Sequence, residues 1–372
     1  MAGLYIHVPF CARKCAYCDF YSVPLAGGPA GDYLQALDRE CALLPPGFAP
    51  ETMFLGGGTP TVLAADDLAR LFDLLARRVD LGHVTEWTCE ANPGTLDAEK
   101  IRALRRAGVN RLSLGVQSFD DRILEFLGRI HTARQAAESF RLLRAEGFEN
   151  LSLDLIFAVP GAPDGALERD LAQALELGPE HLSVYGLTFE GGTPLARRRD
   201  AGEVREVDEE EQLRQYRLVR QSLTSAGFRH YEISNYARPG RECRHNLLYW
   251  GPGEYLGLGP AAHSHWAGRR WGNVRNLEAW AAALEQGRAP REFEEALEPE
   301  ARARETLVFS LRRLDGVERA GFQAETGFDY HALRGEEIAW LVRLGMLEET
   351  DDRLRLTEKG LVVSDAVFAE LV

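Results

Sequence analysis

Six apolar runs of strand length alternate along the first half of the chain with stretches whose apolar residues recur at helical spacing. Strands are expected near residues 4–9, 52–57, 84–91, 111–117, 150–158 and 181–188. Helices are expected between them, as in 64–79 (AADDLARLFDLLARRV) and 165–177. Gly108, Gly147 and Gly178-Pro179 mark three helix-to-strand junctions. Alternation of this kind predicts an α/β protein with a parallel sheet under a layer of helices. Six units fall short of a closed eight-fold barrel, so the expected fold is a partial (β/α)6 barrel. A doubly wound sheet is the competitor, because period alone does not separate the two.

Within the strands the pattern is one-sided. Leu4, Ile6 and Val8 oppose Tyr5 and His7; Leu112, Leu114 and Val116 oppose Ser113, Gly115 and Gln117; Leu151, Leu153 and Leu155 oppose Ser152 and Asp154. A parallel strand covered by apolar neighbours on both faces reads as continuously apolar. Here the apolar face must meet the helices, so the polar face looks inward. Period 2 places Tyr5, Glu90, Gln117 and Asp154 in that interior, which is therefore expected to hold solvent or a ligand.

Residues 230–280 hold four of the nine histidines and four of the six tryptophans, and are dense in glycine and proline (GPGEYLGLGP). They read as an irregular, ligand-enclosing segment. Beyond residue 300 the chain turns helical, and MLEETDDRLRLTEKG then reads as two short strands with a polar hairpin, which together suggest a winged-helix-like, mostly helical domain. The expected division is 1–228 for the barrel, 229–295 for an accessory segment closing it, and 296–372 for the C-terminal domain.

A formal charge of −14 argues against a phosphate-backbone binder. Residues 300–372 carry 15 acidic against 10 basic side chains, so their winged-helix pattern does not imply DNA binding. No apolar run reaches membrane-spanning length, and MAGLYIHVPFCARKC lacks the pattern of a signal peptide. The expectation is a cytoplasmic protein with no nucleic-acid partner and no transmembrane segment.

The six cysteines are unevenly spread. Cys41, Cys89 and Cys243 are isolated and expected to be packed thiols, whereas Cys11, Cys15 and Cys18 share a loop just past the first strand. Ligands collect at that end of parallel α/β folds. Clustered thiolates suit zinc, copper(I) or an iron–sulfur centre. Structural zinc needs a fourth ligand; His7 is a candidate, but a proline and a turn separate it from the loop. An all-cysteine [4Fe–4S] cluster also takes four thiolates, so three leave one iron open to a substrate or cofactor.

Cys-x3-Cys-x2-Cys resembles the signature of the radical S-adenosylmethionine (SAM) proteins. YIHVPFCARKCAYCDF is similar to the anaerobic coproporphyrinogen III oxidase branch, and within it to the HemW-type heme chaperones. FLGGGTPT (54–61), CEANPG (89–94), RLSLGVQSF (111–119), LGRIH (127–131), LDLIFAVPG (153–161), YGLTFEGGTP (185–194), YEISNYA (231–237) and HNLLYW (245–250) extend the likeness over nearly the whole chain. The resemblance implies that Cys11, Cys15 and Cys18 ligate a [4Fe–4S] cluster whose open iron chelates SAM, and that cluster reduction could cleave SAM to a 5′-deoxyadenosyl radical. It further implies SAM contacts from Tyr5, Tyr17, the glycine turn Gly57, Gly58 and Thr59, and Glu90. Gln117, Arg129 and Asp154 match residues that hold a second SAM in the oxidase.

Two departures count against coproporphyrinogen decarboxylation. The oxidase has a further cysteine two residues after the third, where this chain has Phe20, and a long extension before the first strand, where this chain has four residues before Tyr5. His245, Asn246, Tyr249 and Trp250 match the HNxxYW motif of the heme chaperones, in which imidazole can ligate iron and rings can flank a porphyrin. The implied function is a carrier that binds heme and passes it to apo-hemoproteins such as respiratory enzymes, with a homodimer as a compatible assembly. The second reading is a radical enzyme, the oxidase or a relative, acting on a tetrapyrrole.

Overall fold

The computed structural model describes residues 2–25 and 30–372. The six expected strands are β1 (Ala2–Val8), β2 (Thr52–Gly57), β3 (Glu86–Ala91), β4 (Arg111–Gln117), β5 (Leu151–Phe157) and β6 (His181–Gly186). They are all parallel and lie side by side in chain order. A doubly wound sheet reverses its strand order at a central crevice. Across these six strands the order never reverses, so the fold is the partial barrel.

The helices cover the outer face. In α2 (Ala65–Arg78), Leu68, Leu71, Phe72, Leu74 and Leu75 are buried on one stripe, Asp66 and Asp67 occupy the first turn, and Arg77 and Arg78 the last. In α5 (Ala133–Ala145), Thr132 and Gln135 form a reciprocal capping box. Outward residues Leu4, Ile6, Val8, Leu112 and Leu153 have no exposed surface and join the helices in one core. Tyr5, Glu90, Ser113, Asp154 and Ser183 are left to line the lumen.

The His- and Trp-rich segment is not irregular, and this corrects its sequence reading. Arg229–Glu232 and Asn235–Ala237 (β7 and β8) extend the sheet antiparallel beyond β6. At the other edge Glu254–Leu258 (β9) pairs parallel with β1, and His263–Trp266, Arg269–Asn273 and Arg291–Ala296 (β10 to β12) continue antiparallel. Glycine is tolerated there because the chain itself crowds in. A methyl at Gly257 would meet the His263 backbone.

Residues between Ala303 and Leu371 hold a separate core around Leu307, Tyr330, Ile338, Leu354 and Leu371, with a three-stranded sheet over Val317–Glu318, Leu347–Glu349 and Arg353–Leu356. This is the winged-helix-like part. Among the described residues no helix is long and apolar enough to cross a membrane.

Candidate functional site at the barrel mouth

The C-terminal end of β1 leads into the cysteine loop, and the surrounding backbone fixes that loop tightly. Phe10–Cys11 and Val23–Pro24 form a small parallel bridge that folds the loop onto its own root. Ala16 N donates to Leu127 O (3.0 Å), and Ala16 O accepts from Leu195 N (2.8 Å). The end of β2 supplies the other support: Gly58 N donates to Val8 O (2.8 Å) and Thr59 N to Phe10 O (2.7 Å). A methyl at Gly58 would lie 2.8 Å from both Phe10 N and Val8 O, so the chain passes only because it is absent. The sequence reading gave these glycines to the cofactor, but two of the turn's amides are engaged with the cysteine loop. Gly58→Ala should cost about 2–3 kcal/mol through backbone overpacking, measured by urea unfolding.

Cys11, Cys15 and Cys18 are half-buried. Burial pushes the Cys18 thiol up to about 11, and Cys15 and Cys11 add to the shift. Among the described residues no group of His, Cys, Asp or Glu forms a ready-made metal cage; the three cysteines share one loop. Two polar side chains reach them. Thr59 Oγ1 lies 3.6 Å from Cys11 Sγ, and Arg129 Nη1 donates to Cys15 Sγ at 3.3 Å. Asn92 joins these two: its amide nitrogen donates to Thr59 Oγ1 (2.6 Å) and its oxygen accepts from Arg129 Nη2. Arg129 Nη2 also donates to Gly115 O (2.6 Å). The result is a continuous polar chain from Cys11 through Thr59, Asn92 and Arg129 to Cys15. Asn92 was not singled out in the sequence, although CEANPG places it directly past β3.

Gln117 departs from simple alternation. The β4–β5 register shifts between Gly115 and Gln117, and Gln117 takes φ 67°. Its amide still reaches the cluster, because a methyl at Gly115 would meet Asn92 Oδ1 at 2.7 Å, Gln117 Nε2 at 3.0 Å and Arg129 Nη2 at 3.2 Å. Tyr17 also lies here. Burial raises its phenol strongly, while Arg129 pulls the other way.

Deeper in the lumen stand two carboxyl groups. Desolvation pushes Glu90 up to about 8, Asp154 adds to this, and the Gly57 amide opposes it. Asp154 is raised by burial against hydrogen bonds from Ser113 (3.0 Å) and Ser183. Tyr5, its phenol raised well above its ordinary value by burial and then by Glu90, holds His7 Nδ1 at 3.1 Å. His7 Nε2 is bonded to Tyr21 O at 2.8 Å. Both imidazole nitrogens are thus engaged, which removes His7 as a fourth ligand. The donor set suits a sulfur-ligated cluster with a cationic guest. Soft thiolates face one side, Arg129 approaches a sulfur, and two carboxyls that have lost their hydration await a positive charge.

The HNLLYW segment lies at the opposite end. It forms α9 (Arg244–Tyr249), which closes the floor of the barrel where β1, β2 and β3 begin. Glu86, the first residue of β3, receives His245 N and Arg244 N, each at 2.9 Å, and Cys243 Sγ at 3.6 Å. His245 has no exposed surface; its Nδ1 meets Thr52 Oγ1 (2.8 Å) and its Nε2 meets Tyr249 OH (2.9 Å). Burial, with Arg111 adding, lowers its pKa to about 3. Trp250 is covered by the Arg312 guanidinium at 4.3 Å, and Asn246 is half-buried. In this fold His245, Tyr249 and Trp250 sit in the floor and tie it to the C-terminal part, with both His245 nitrogens engaged. Cys41 and Cys89 are packed thiols, as expected.

Comparison with known proteins gives the family and the fold. Residues 5–174 match the radical SAM superfamily, and residues 297–363 the HemN C-terminal domain. The chain is 36% identical to the heme chaperone HemW of Lactococcus lactis, over 99% of this chain and 96% of the relative. It is 38% identical to HemW of Mycobacterium tuberculosis, over 100% and 94%. The chain belongs to the HemW family. Bacillus subtilis HemW is 35% identical over 99% of this chain and 98% of its own length. Coproporphyrinogen III oxidase (HemN) of Escherichia coli shares the fold, with a TM-score of 0.87 at 22% identity, covering 100% of this chain and 89% of the oxidase.

Proposed function

We propose that this protein is a heme chaperone that binds heme and passes it to apo-hemoproteins such as respiratory enzymes, and that it carries a SAM-binding [4Fe–4S] cluster at the barrel mouth. The observation that carries the cofactor reading is the polar chain joining Cys11 to Cys15 above a lumen with two desolvated carboxyls. The heme reading rests on full-length similarity to proteins of that name. Cys11, Cys15 and Cys18 would hold the cluster, which when bound supplies one-electron chemistry and an open iron. Glu90, with the Gly57, Gly58 and Thr59 turn, would meet the SAM on the open iron, Gln117, Arg129 and Asp154 would hold a second SAM, and Tyr5 and Tyr17 would exclude water beside the cluster. The working division is a barrel over 1–228, a closing segment over 229–295 and a C-terminal domain over 296–372, acting in the cytoplasm, with homodimerisation as a further proposal.

A pH dependence follows for SAM. Below about 8 the free protein keeps Glu90 protonated, whereas a cationic ligand favours the ionised form. Binding therefore releases a proton, and affinity should rise up to about tenfold per pH unit until about pH 8, then level off. Glu90→Gln should weaken SAM at least about tenfold and flatten the profile. Equilibrium binding to reconstituted protein checks this; an unchanged profile in the variant contradicts it. The chaperone function is tested by mixing heme-loaded protein with an apo-hemoprotein and following the acceptor's spectrum. Transfer faster than from free hemin supports it; heme that stays bound, or substrate-dependent vinyl-porphyrin production, overturns it.

A further inference from the structure

On the outer face of the sheet, away from the mouth and the floor, a cleft of about 440 Å³ opens between the turn after α1 (Ala30–Cys41) and strands β9 to β12. That volume lies in the range of small-molecule sites. Its apolar lining includes Leu43 and Pro45, Leu256 and Leu258, and Trp266 and Trp271. Leu43 keeps 52% of its surface exposed at the rim. Phe48 packs edge-on against Trp266 at 5.3 Å and fixes that ring. At the mouth Arg291 lies over the Trp271 ring at 4.4 Å. Arg291 and Arg269 both pair with Glu294 and share that one carboxylate at the rim. The buried Glu40 carboxyl at the floor is already held by Gly259 N, Asn273 Nδ2 and Trp280 Nε1.

Flat aromatic rings beside a rim with two guanidinium groups fit a planar apolar ring that carries carboxylates. No imidazole, thiolate, thioether or phenol lines the cleft, so it offers iron none of the usual protein ligands. We infer that this cleft is a porphyrin-binding site that grips the ring and its carboxylates rather than the metal. The inference rests on the chaperone reading and seats the ring apart from His245, whose two nitrogens are engaged. Weak attachment to the metal suits cargo that must leave.

The test titrates full-length protein with hemin and, separately, with metal-free protoporphyrin IX, followed by quenching of tryptophan fluorescence and by absorbance. Wild type should take both within about threefold in affinity, because the ring and carboxylates do the binding. Leu43→Glu, at an exposed position, should leave the melting curve unchanged and weaken both ligands at least about tenfold; Trp271→Leu should weaken both and lose quenching. Hemin binding by wild type with no binding of the metal-free ring overturns the inference. So does wild-type affinity in both variants; in either case the chaperone reading stands. Failure of wild type to bind hemin at all overturns the chaperone reading as well.

Discussion

Glu86→Ala is expected to destabilise the protein by about 3–5 kcal/mol, the scale for removing one partner from a buried charged network. Glu86 is 5% exposed and caps the start of the plug helix, accepting from two backbone amides and a thiol. It also faces Arg111, which is 2% exposed with its Nε unpartnered. Burial works against the Arg111 charge, and Cys243, Glu86, Tyr231 and Asp154 together outweigh it. Alanine would leave two amides without acceptors and deprive that guanidinium of an adjacent carboxylate. Glu86→Gln keeps the shape but turns an NH2 toward donors, so its loss should fall between wild type and alanine. Urea denaturation followed by circular dichroism reads all three. A cost below about 1 kcal/mol for alanine contradicts this account of the floor.

Serine at Cys11, Cys15 or Cys18 is expected to abolish cluster assembly, taking iron from about four per chain in wild type to near zero after anaerobic reconstitution. The fold should survive. The three thiols are half-buried, and their polar contacts include Thr59 at Cys11, Arg129 at Cys15 and the Phe20 amide at Cys18. The loop is held by backbone bonds through Pro9, Cys11 and Ala16, which a serine does not touch. Urea unfolding of each unloaded variant should therefore lie within about 1 kcal/mol of unloaded wild type, since serine keeps a polar atom where the thiol accepted its hydrogen bond. Iron retained by a single serine variant would mean that the sulfur does not ligate. Asn92→Ala provides a contrast: it severs the chain from Thr59 to Arg129 without removing a sulfur, so iron content should persist while SAM affinity falls.

Much of the barrel is legible from period alone. Leu4, Ile6 and Val8 against Tyr5 and His7 fix the faces of β1, and the same alternation delivers Glu90 and Asp154 to the lumen. Gln117 shows where the rule stops, because a register shift at Gly115 breaks the period before the strand ends. The strands of the His- and Trp-rich segment are hidden for another reason: Gly257 and Gly272 are demanded by crowding from His263 and Phe293, contacts that no local pattern announces. The floor is hidden too. HNLLYW carries its chemistry in the sequence, but its burial depends on Thr52 and Glu86, which lie 193 and 159 residues from His245. Only tertiary contact shows that both imidazole nitrogens are engaged.

The central claim is that three cysteines at the mouth hold a cluster with one iron free for SAM, and the most direct measurement is the electron paramagnetic resonance spectrum of the reconstituted, reduced protein with and without SAM. The account predicts a [4Fe–4S]+ signal whose g values shift when SAM is added, a shift weakened in Glu90→Gln. A protein that takes up no iron and sulfide, or a cluster signal that SAM leaves unmoved, would contradict it.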